Sequence, residues 1–443
     1  MNQNRINKPK PKVGFCVVYH PFEENAEKAP FICEKSFSLL KSIENIEVIE
    51  AKELIKDLKS SLSTAEYFWE NRVDLICVKL ATWSSDNLVL EMNSHCNVPF
   101  IFWSYSHMHA GSMCGAQQFN MVFKELGKEC IFVYRDDQSA LDKIINYSYC
   151  VYIKNKLRLA RFLKIGARTQ GMSEVACDEF SVKEVFGSSI YTIGFEDIEH
   201  KRLQIGEKHV KGKWSEIKNS IKNISISEED GLIALRYYLA LKDLIGAEQI
   251  SGITVECYPN HMGKYCLSFS LLADKGIPGA CEGDVNALIL MFILMHLSRG
   301  PVHNIDPLYL YEEDDSIIGS HCGSGSFQLA ISLNDIELAN VRLANEGTCV
   351  LFPSKPGKVT MANLVGRKET YRMGIISGEA IKTELIFPGN PIRVKLPIPI
   401  GEYLDIVEAH GLGHHWIIAY GDYNDPLQKL ASMLNIDPIV FSS

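Results

Sequence analysis

Residues 13–19 read VGFCVVY, seven apolar, β-branched or aromatic positions without a charge. The run is too short for a buried helix and has the length of a buried strand. Runs of the same kind follow at 46–50, at 74–79 (DLICVK), at 98–104 (VPFIFWS) and at 129–134 (ECIFVY), and a helical stretch is expected at 26–42. Strands separated by helical stretches mean βαβ units and a parallel sheet. Ligands of such a sheet sit beyond the carboxyl ends of its strands. Two loops fall there: Thr82-Trp83-Ser84, and 104–118 with His107 and Gln117.

Outward from that sheet, 144–163 is expected as a linking helix. A second αβ set then begins, with strands at 163–168, 189–193 and 252–257 and helices at 177–186 and 231–244. The segment 283–299 is apolar nearly all round, the mark of a buried helix. From about Pro301 the apolar runs shorten and Gly and Pro punctuate them, as at 347–350, 358–364, 371–377 and 391–395. That pattern is β-rich, antiparallel or barrel-like. The expected architecture is α/β: two αβα (Rossmann-like, parallel-sheet) domains at 13–162 and 163–300, then a β-rich barrel-like domain at 301–443. A disordered tail is expected at 1–12, and an active site at the interface of the last two domains.

Composition narrows the partners. The chain has 443 residues, 46% hydrophobic and 22% charged, with 45 basic against 54 acidic residues and a net charge of −9. A protein that neutralises many phosphates is normally basic, and the only basic cluster is Lys8, Lys10 and Lys12, so nucleic acid is not expected. The longest apolar run, 287–295, is half of what a membrane-spanning helix needs. The polar N-terminus lacks the apolar stretch of a signal peptide, so a cytoplasmic location is expected, with the 13 cysteines as thiols. There is no Cys-x-x-Cys, no P-loop, no complete G-x-G-x-x-G and no G-x-S-x-G.

Three clusters join carboxylates or imidazoles to glycine. The first is Ala280-Cys281-Glu282-Gly283-Asp284, at the start of the buried helix. Glu282 there is a helix-capping acid, or a buried carboxylate that needs a cation. The second is Asn304-Ile305-Asp306-Pro307, a turn starter or a lone acid in apolar surroundings, followed by Ser320-His321-Cys322-Gly323. The third is His410-Gly411-Leu412-Gly413-His414-His415-Trp416, a polar loop or the start of a buried strand with a functional histidine. Two acids with one or two imidazoles and no paired thiols suit a hard or borderline divalent ion: Mn²⁺ first, then Mg²⁺, Co²⁺ or Fe²⁺.

On these motifs the sequence resembles the L-fucose isomerase / L-arabinose isomerase superfamily. The carrying residues are Cys281-Glu282-Gly283-Asp284, Asp306, Ser320-His321-Cys322-Gly323 and Gly413-His414-His415. Thr82-Trp83-Ser84, 111–117 and 125–128 look like the family's first domain. The resemblance implies an Mn²⁺-dependent aldose–ketose isomerase that moves a proton through a cis-enediol. It implies Glu282, Asp306, His415 and His321 as metal ligands, with Glu282 and Asp306 catalytic. It places His414 at the substrate, and Trp83, His107 and Gln117 as contacts supplied by a neighbouring subunit of a hexamer or trimer. A modified sugar (sulfonated, deoxy or branched) as substrate of an isomerase or epimerase, and a sugar-binding protein without chemistry, are the alternatives.

Overall fold

The computed structural model describes residues 10–441. The first nine residues of the expected tail lie outside them, and Lys12 already begins strand β1. Among the described residues the chain divides into two compact units, one ending at Asn155 and one beginning at Lys156, and the division falls inside the helix Gln138–Leu159. No helix among them is long and apolar enough to cross a membrane. No disulfide joins any of the cysteines.

The first unit holds a five-stranded parallel sheet in the order β2-β1-β3-β4-β5. Its strands are β1 (Lys12–Val18), β2 (Glu47–Glu50), β3 (Leu75–Leu80), β4 (Phe100–Ser104) and β5 (Cys130–Val133). Every residue of β3 is buried, as expected of a strand covered by helices on both faces. The stretch 104–118, expected as a loop, is only partly one. A 3₁₀ turn at Met108–Ala110 leads into the helix Ser112–Glu125, so Gln117 is helical. Gly111 (φ 60°) lets that helix start against Trp83, whose Cβ lies 3.0 Å from where a side chain would begin.

In the second unit, β6 (Arg161–Ile165), β7 (Ser189–Ile193), β9 (Gly252–Val255) and β10 (Gly279–Ala280) form a parallel sheet in the order β10-β9-β6-β7. The helix Val285–Ser298 is buried over its first eleven residues, in line with its uniform apolarity. Two amphipathic helices, Phe195–Leu203 and Glu207–Ser220, follow β7. Their many charges hide the narrow apolar stripe, and neither stands out in the sequence. A small sheet joins β8 (Asn223–Ile224), β13 (Glu337–Ala339) and β14 (Cys349–Leu351).

The strand-rich region closes into a barrel. Its strands are β11 (His303–Tyr311), β12 (Ser316–Ser320), β15 (Gly357–Val365), β16 (Arg372–Ile381), β17 (Ile392–Lys395) and β18 (Trp416–Tyr420). Antiparallel pairing runs β15-β18-β11-β12-β17-β16 and returns from β16 to β15, so none of the six is left as an open edge. A seventh strand, β19 (Asp437–Val440), adds to β16 in parallel. Ile305, Ile317, Met361, Ile376, Val394, Trp416 and Ile418 pack together in its core. Because side chains alternate along a strand, Asn304 and Asp306 stand on the opposite face from Ile305, and His415 on the opposite face from Trp416.

Candidate active site

The second parallel sheet delivers one carboxylate. β10 ends at Ala280, and the chain turns through Cys281-Glu282-Gly283 into the helix Val285–Ser298. Glu282 (φ 65°) and Gly283 (φ 77°) are both left-handed. For a residue with a Cβ this conformation costs about 1–2 kcal/mol, and the surroundings hold it. The Glu282 carbonyl accepts from Thr169 N–H at 3.1 Å, and Gly283 N–H donates to Val255 O at 3.0 Å. A Cβ at Gly283 would lie 2.4 Å from Ala167 O, so only glycine fits. The turn leaves the Glu282 side chain inward and 8% exposed.

The barrel delivers the rest. Ile305 pairs with Trp416 and Asp306 with Ser320, which sets Asp306 beside His415 and His321 close by. His415 Nε2 lies 3.0 Å from Glu282 Oε2 and 3.7 Å from Asp306 Oδ1. His414 Nε2 lies 3.7 Å from Glu282 Oε2 and 4.0 Å from Asp306 Oδ1. Ligand atoms of Glu282, His321 and His415 lie within 4.8 Å of one another, and so do those of Asp306, His414 and His415. Five of the residues singled out in the sequence therefore meet at one point. Adjacent residues His414 and His415 both reach it from the turn before β18, their ring centroids 4.0 Å apart and their planes tilted by 39°.

The electrostatics are those of a tightly coupled cluster. Burial alone would raise the Glu282 carboxyl, but His414, His415 and the nearby His321 outweigh it and hold it well below the usual carboxylate range. Burial would lower His415, and its hydrogen bonds to Asp284 and Glu282 hold it well above the ordinary imidazole value. Burial likewise opposes the charge on His321, yet Asp306 and the Cys322 contacts push it up to about 9. His414 is raised chiefly by Glu282.

Whether the residues suit a divalent ion follows from the atoms left over. Asp306 Oδ1 and His321 Nε2 are buried without a hydrogen-bond partner among the described residues, and buried polar atoms rarely go without one. Both sit in a cluster of carboxylate oxygens and imidazole nitrogens, the donor set that borderline divalent ions take. Asn304, 5% exposed and on the Asp306 face of β11, has both amide atoms buried and unpartnered among the described residues.

Trp83, His107 and Gln117 belong to the other compact unit. There Trp83 Nε1 donates to Gln118 Oε1 at 2.9 Å, Gln117 is exposed, and His107 Nδ1 is buried without a partner among the described residues. Two residues at the site escaped sequence reasoning. The capping role that the sequence offered for Glu282 falls to Asp284, whose Oδ1 accepts from Ala287 N–H at 2.9 Å. Its other oxygen lies 2.7 Å from His415 Nδ1. Glu174, on a 3₁₀ turn at Ser173–Val175, pairs with His414 Nδ1, and nothing in its local sequence marks it.

No family model matches the chain. It is similar to the sulfoquinovose isomerase of Priestia aryabhattai, with 21% identity over 407 residues, 89% of this chain and 91% of that one. The sulfoquinovose isomerase of Alkalicoccus urumqiensis is 22% identical over 384 residues, 83% and 86% of the two chains. That of Clostridium sp. (strain MSTE9) is 23% identical over 437 residues, 92% and 94%. A solved structure from Mycobacterium smegmatis shares 10% identity at a TM-score of 0.15, covering 61% of this chain and 78% of that one, and carries no argument.

Proposed function

We propose that this protein is an aldose–ketose isomerase acting on a monosaccharide through a cis-enediol, with a sulfonated aldose such as sulfoquinovose as its substrate. One observation carries the reading. Glu282, Asp306 and His415 come from three separate segments, and their ligand atoms converge with those of His321 and His414. The similarity to three sulfoquinovose isomerases along most of the chain supports the reaction class and the modified sugar.

Glu282, Asp306, His415 and His321 would hold a divalent ion, Mn²⁺ before Mg²⁺, Co²⁺ or Fe²⁺. When bound, such an ion supplies Lewis acidity for the charge that develops on the two sugar oxygens. The chain supplies the proton chemistry. The proton on the sugar carbon is weakly acidic, so a positioned base must take it and an acid return it to the neighbouring carbon. Glu282 and Asp306 would serve as base and acid in that exchange, and each such transfer is worth about 10²–10⁴-fold. His414, 33% exposed at its side chain, faces the sugar. The Asn304 amide offers one donor and one acceptor to a sugar hydroxyl. Function as a homo-oligomer, trimer or hexamer, belongs to the same proposal.

The test is direct. Protein stripped with EDTA is incubated with sulfoquinovose in deuterated water, with and without Mn²⁺, beside L-fucose and L-arabinose. Mn²⁺-dependent ketose with deuterium at C1, the carbon that receives the returned proton, is expected from the sulfonated sugar. Full turnover in excess EDTA would overturn the metal. A bound sugar whose isomer ratio never changes would leave a sugar-binding protein instead, and turnover of the neutral sugars alone would overturn the substrate class.

A further inference from the structure

The two adjacent imidazoles are held in the same way. His415 Nδ1 lies 2.7 Å from Asp284 Oδ2, and His414 Nδ1 is paired with Glu174. Both Nε2 atoms turn toward the same carboxylates, Glu282 and Asp306. An uncharged imidazole has one N–H and one lone pair, and the partner of one nitrogen decides what the other presents. Carboxylates face both nitrogens and can only accept, but in each ring the nearer one lies at Nδ1, so the uncharged ring keeps its proton on Nδ1 and Nε2 presents its lone pair.

We propose that Asp284 is a positioning residue that fixes His415 in the Nδ1–H form, aimed at the point where Glu282 and Asp306 meet, and that Glu174 does the same for His414. The inference rests on the metal-dependent reading above. Asp284 is 6% exposed and uses both oxygens: Oδ1 caps the helix Val285–Ser298 at Ala287 N–H, and Oδ2 holds the ring. One carboxylate thus ties the start of a buried helix to the orientation of an imidazole from the barrel. Carboxylates behind ligating histidines raise ligand basicity, and losing one typically weakens metal binding 10–100-fold.

Three substitutions separate the cap from the ring. In Asp284→Asn the single oxygen stays on Ala287 N–H, and the amide NH₂ faces Nδ1, which must then accept. Asp284→Ser keeps a good helix cap but does not reach His415, and Asp284→Ala removes both contacts. Protein labelled with ¹⁵N at histidine reports the tautomer of His415 by NMR without metal, at alkaline pH where the ring has lost its charge, with His415→Gln assigning the signal. Calorimetry reports Mn²⁺ affinity and thermal unfolding reports the cap. A protonated Nδ1 is expected in the wild type and a protonated Nε2 in Asp284→Asn. Mn²⁺ affinity should fall about 10–100-fold in the Asn and Ser variants, while Ala, which also loses the cap, lowers the melting midpoint below that of Ser. The same labelling with Glu174→Gln reads His414. An unchanged His415 signal in Asp284→Asn, or wild-type Mn²⁺ affinity in Asp284→Ser, overturns the proposal. A wild-type protein that binds no Mn²⁺ overturns the proposed function instead, and the ¹⁵N comparison still decides the role of Asp284.

Discussion

Asp306 Oδ1 lies 3.7 Å from His415 Nε2, on neighbouring barrel strands whose register is fixed one residue away by the Ile305–Trp416 pair. Strand pairing alone brings this acid and this imidazole together. Glu282 arrives from a different sheet, at the end of β10, and completes the cluster from the other side.

Replacing Glu282 by Gln keeps the shape of the side chain and removes its charge and basicity. Isomerisation should fall by about 10²–10⁴-fold while the circular dichroism spectrum stays that of the wild type. Mn²⁺ affinity, read by calorimetry, should fall with it, because one residue serves both purposes. Wild-type turnover would remove Glu282 from the chemistry.

The two buried histidines should differ. His415 touches Glu282 and Asp284 directly, whereas His321 Nε2 has no partner among the described residues. His415→Ala should therefore cost more Mn²⁺ affinity than His321→Ala. Titrations that give one affinity for both variants and the wild type would remove both from the metal site.

Proton linkage gives a pH signature to the metal-free protein. The His415 ring is held above its unfolded value, so its stabilisation is fully present below about pH 6.5 and is lost as pH rises through the folded value. The Glu282 carboxyl is held below its unfolded value, so its stabilisation is present above about pH 4.3 and is lost as pH falls toward the folded value. Stability should peak between the two. His415→Gln should lower it there by about 3 kcal/mol and converge with the wild type at the alkaline end, as urea midpoints across pH will read. Mn²⁺ must displace the same proton, so its affinity should rise with pH through the neutral range.

Gly283 combines φ 77° with an approach of 2.4 Å to Ala167 O. Gly283→Ala should destabilise the protein by at least about 2 kcal/mol, from left-handed strain and the clash together, and should disturb Glu282 next to it. A melting midpoint equal to the wild type would show that the turn is not as tight as its geometry.

Asn304 invites a trade between stability and activity. Its amide is buried without partners among the described residues, which costs stability when nothing is bound. Asn304→Leu should leave the sugar-free protein as stable as the wild type or more so, and lower kcat/KM for the aldose. Unchanged kcat/KM would take Asn304 away from the sugar.

Much of this arrangement is legible in the chain because its causes are local. The runs at 13–19, 74–79 and 98–104 become β1, β3 and β4 within two residues at each end, since an apolar run of strand length has few other uses. The helix expected at 283–299 forms at Val285–Ser298, because no apolar segment of that length can stay in water. The helices Phe195–Leu203 and Glu207–Ser220 were not legible: their mean character is polar and their buried stripes are only a few residues wide. In the 104–118 segment, glycine, serine and histidine gave the composition of a loop, but packing beneath Trp83 made half of it a helix.

By itself the sequence determined most of the strands and helices and the donor types available for a cation. Only the tertiary structure decided that Glu282, Asp306, His321, His414 and His415 share one point, and that Asp284 and Glu174 stand behind the last two. Secondary structure follows from the spacing of neighbours along the chain. The site follows from barrel closure and from the approach of β10 to β18, contacts between segments far apart in sequence that no local pattern encodes.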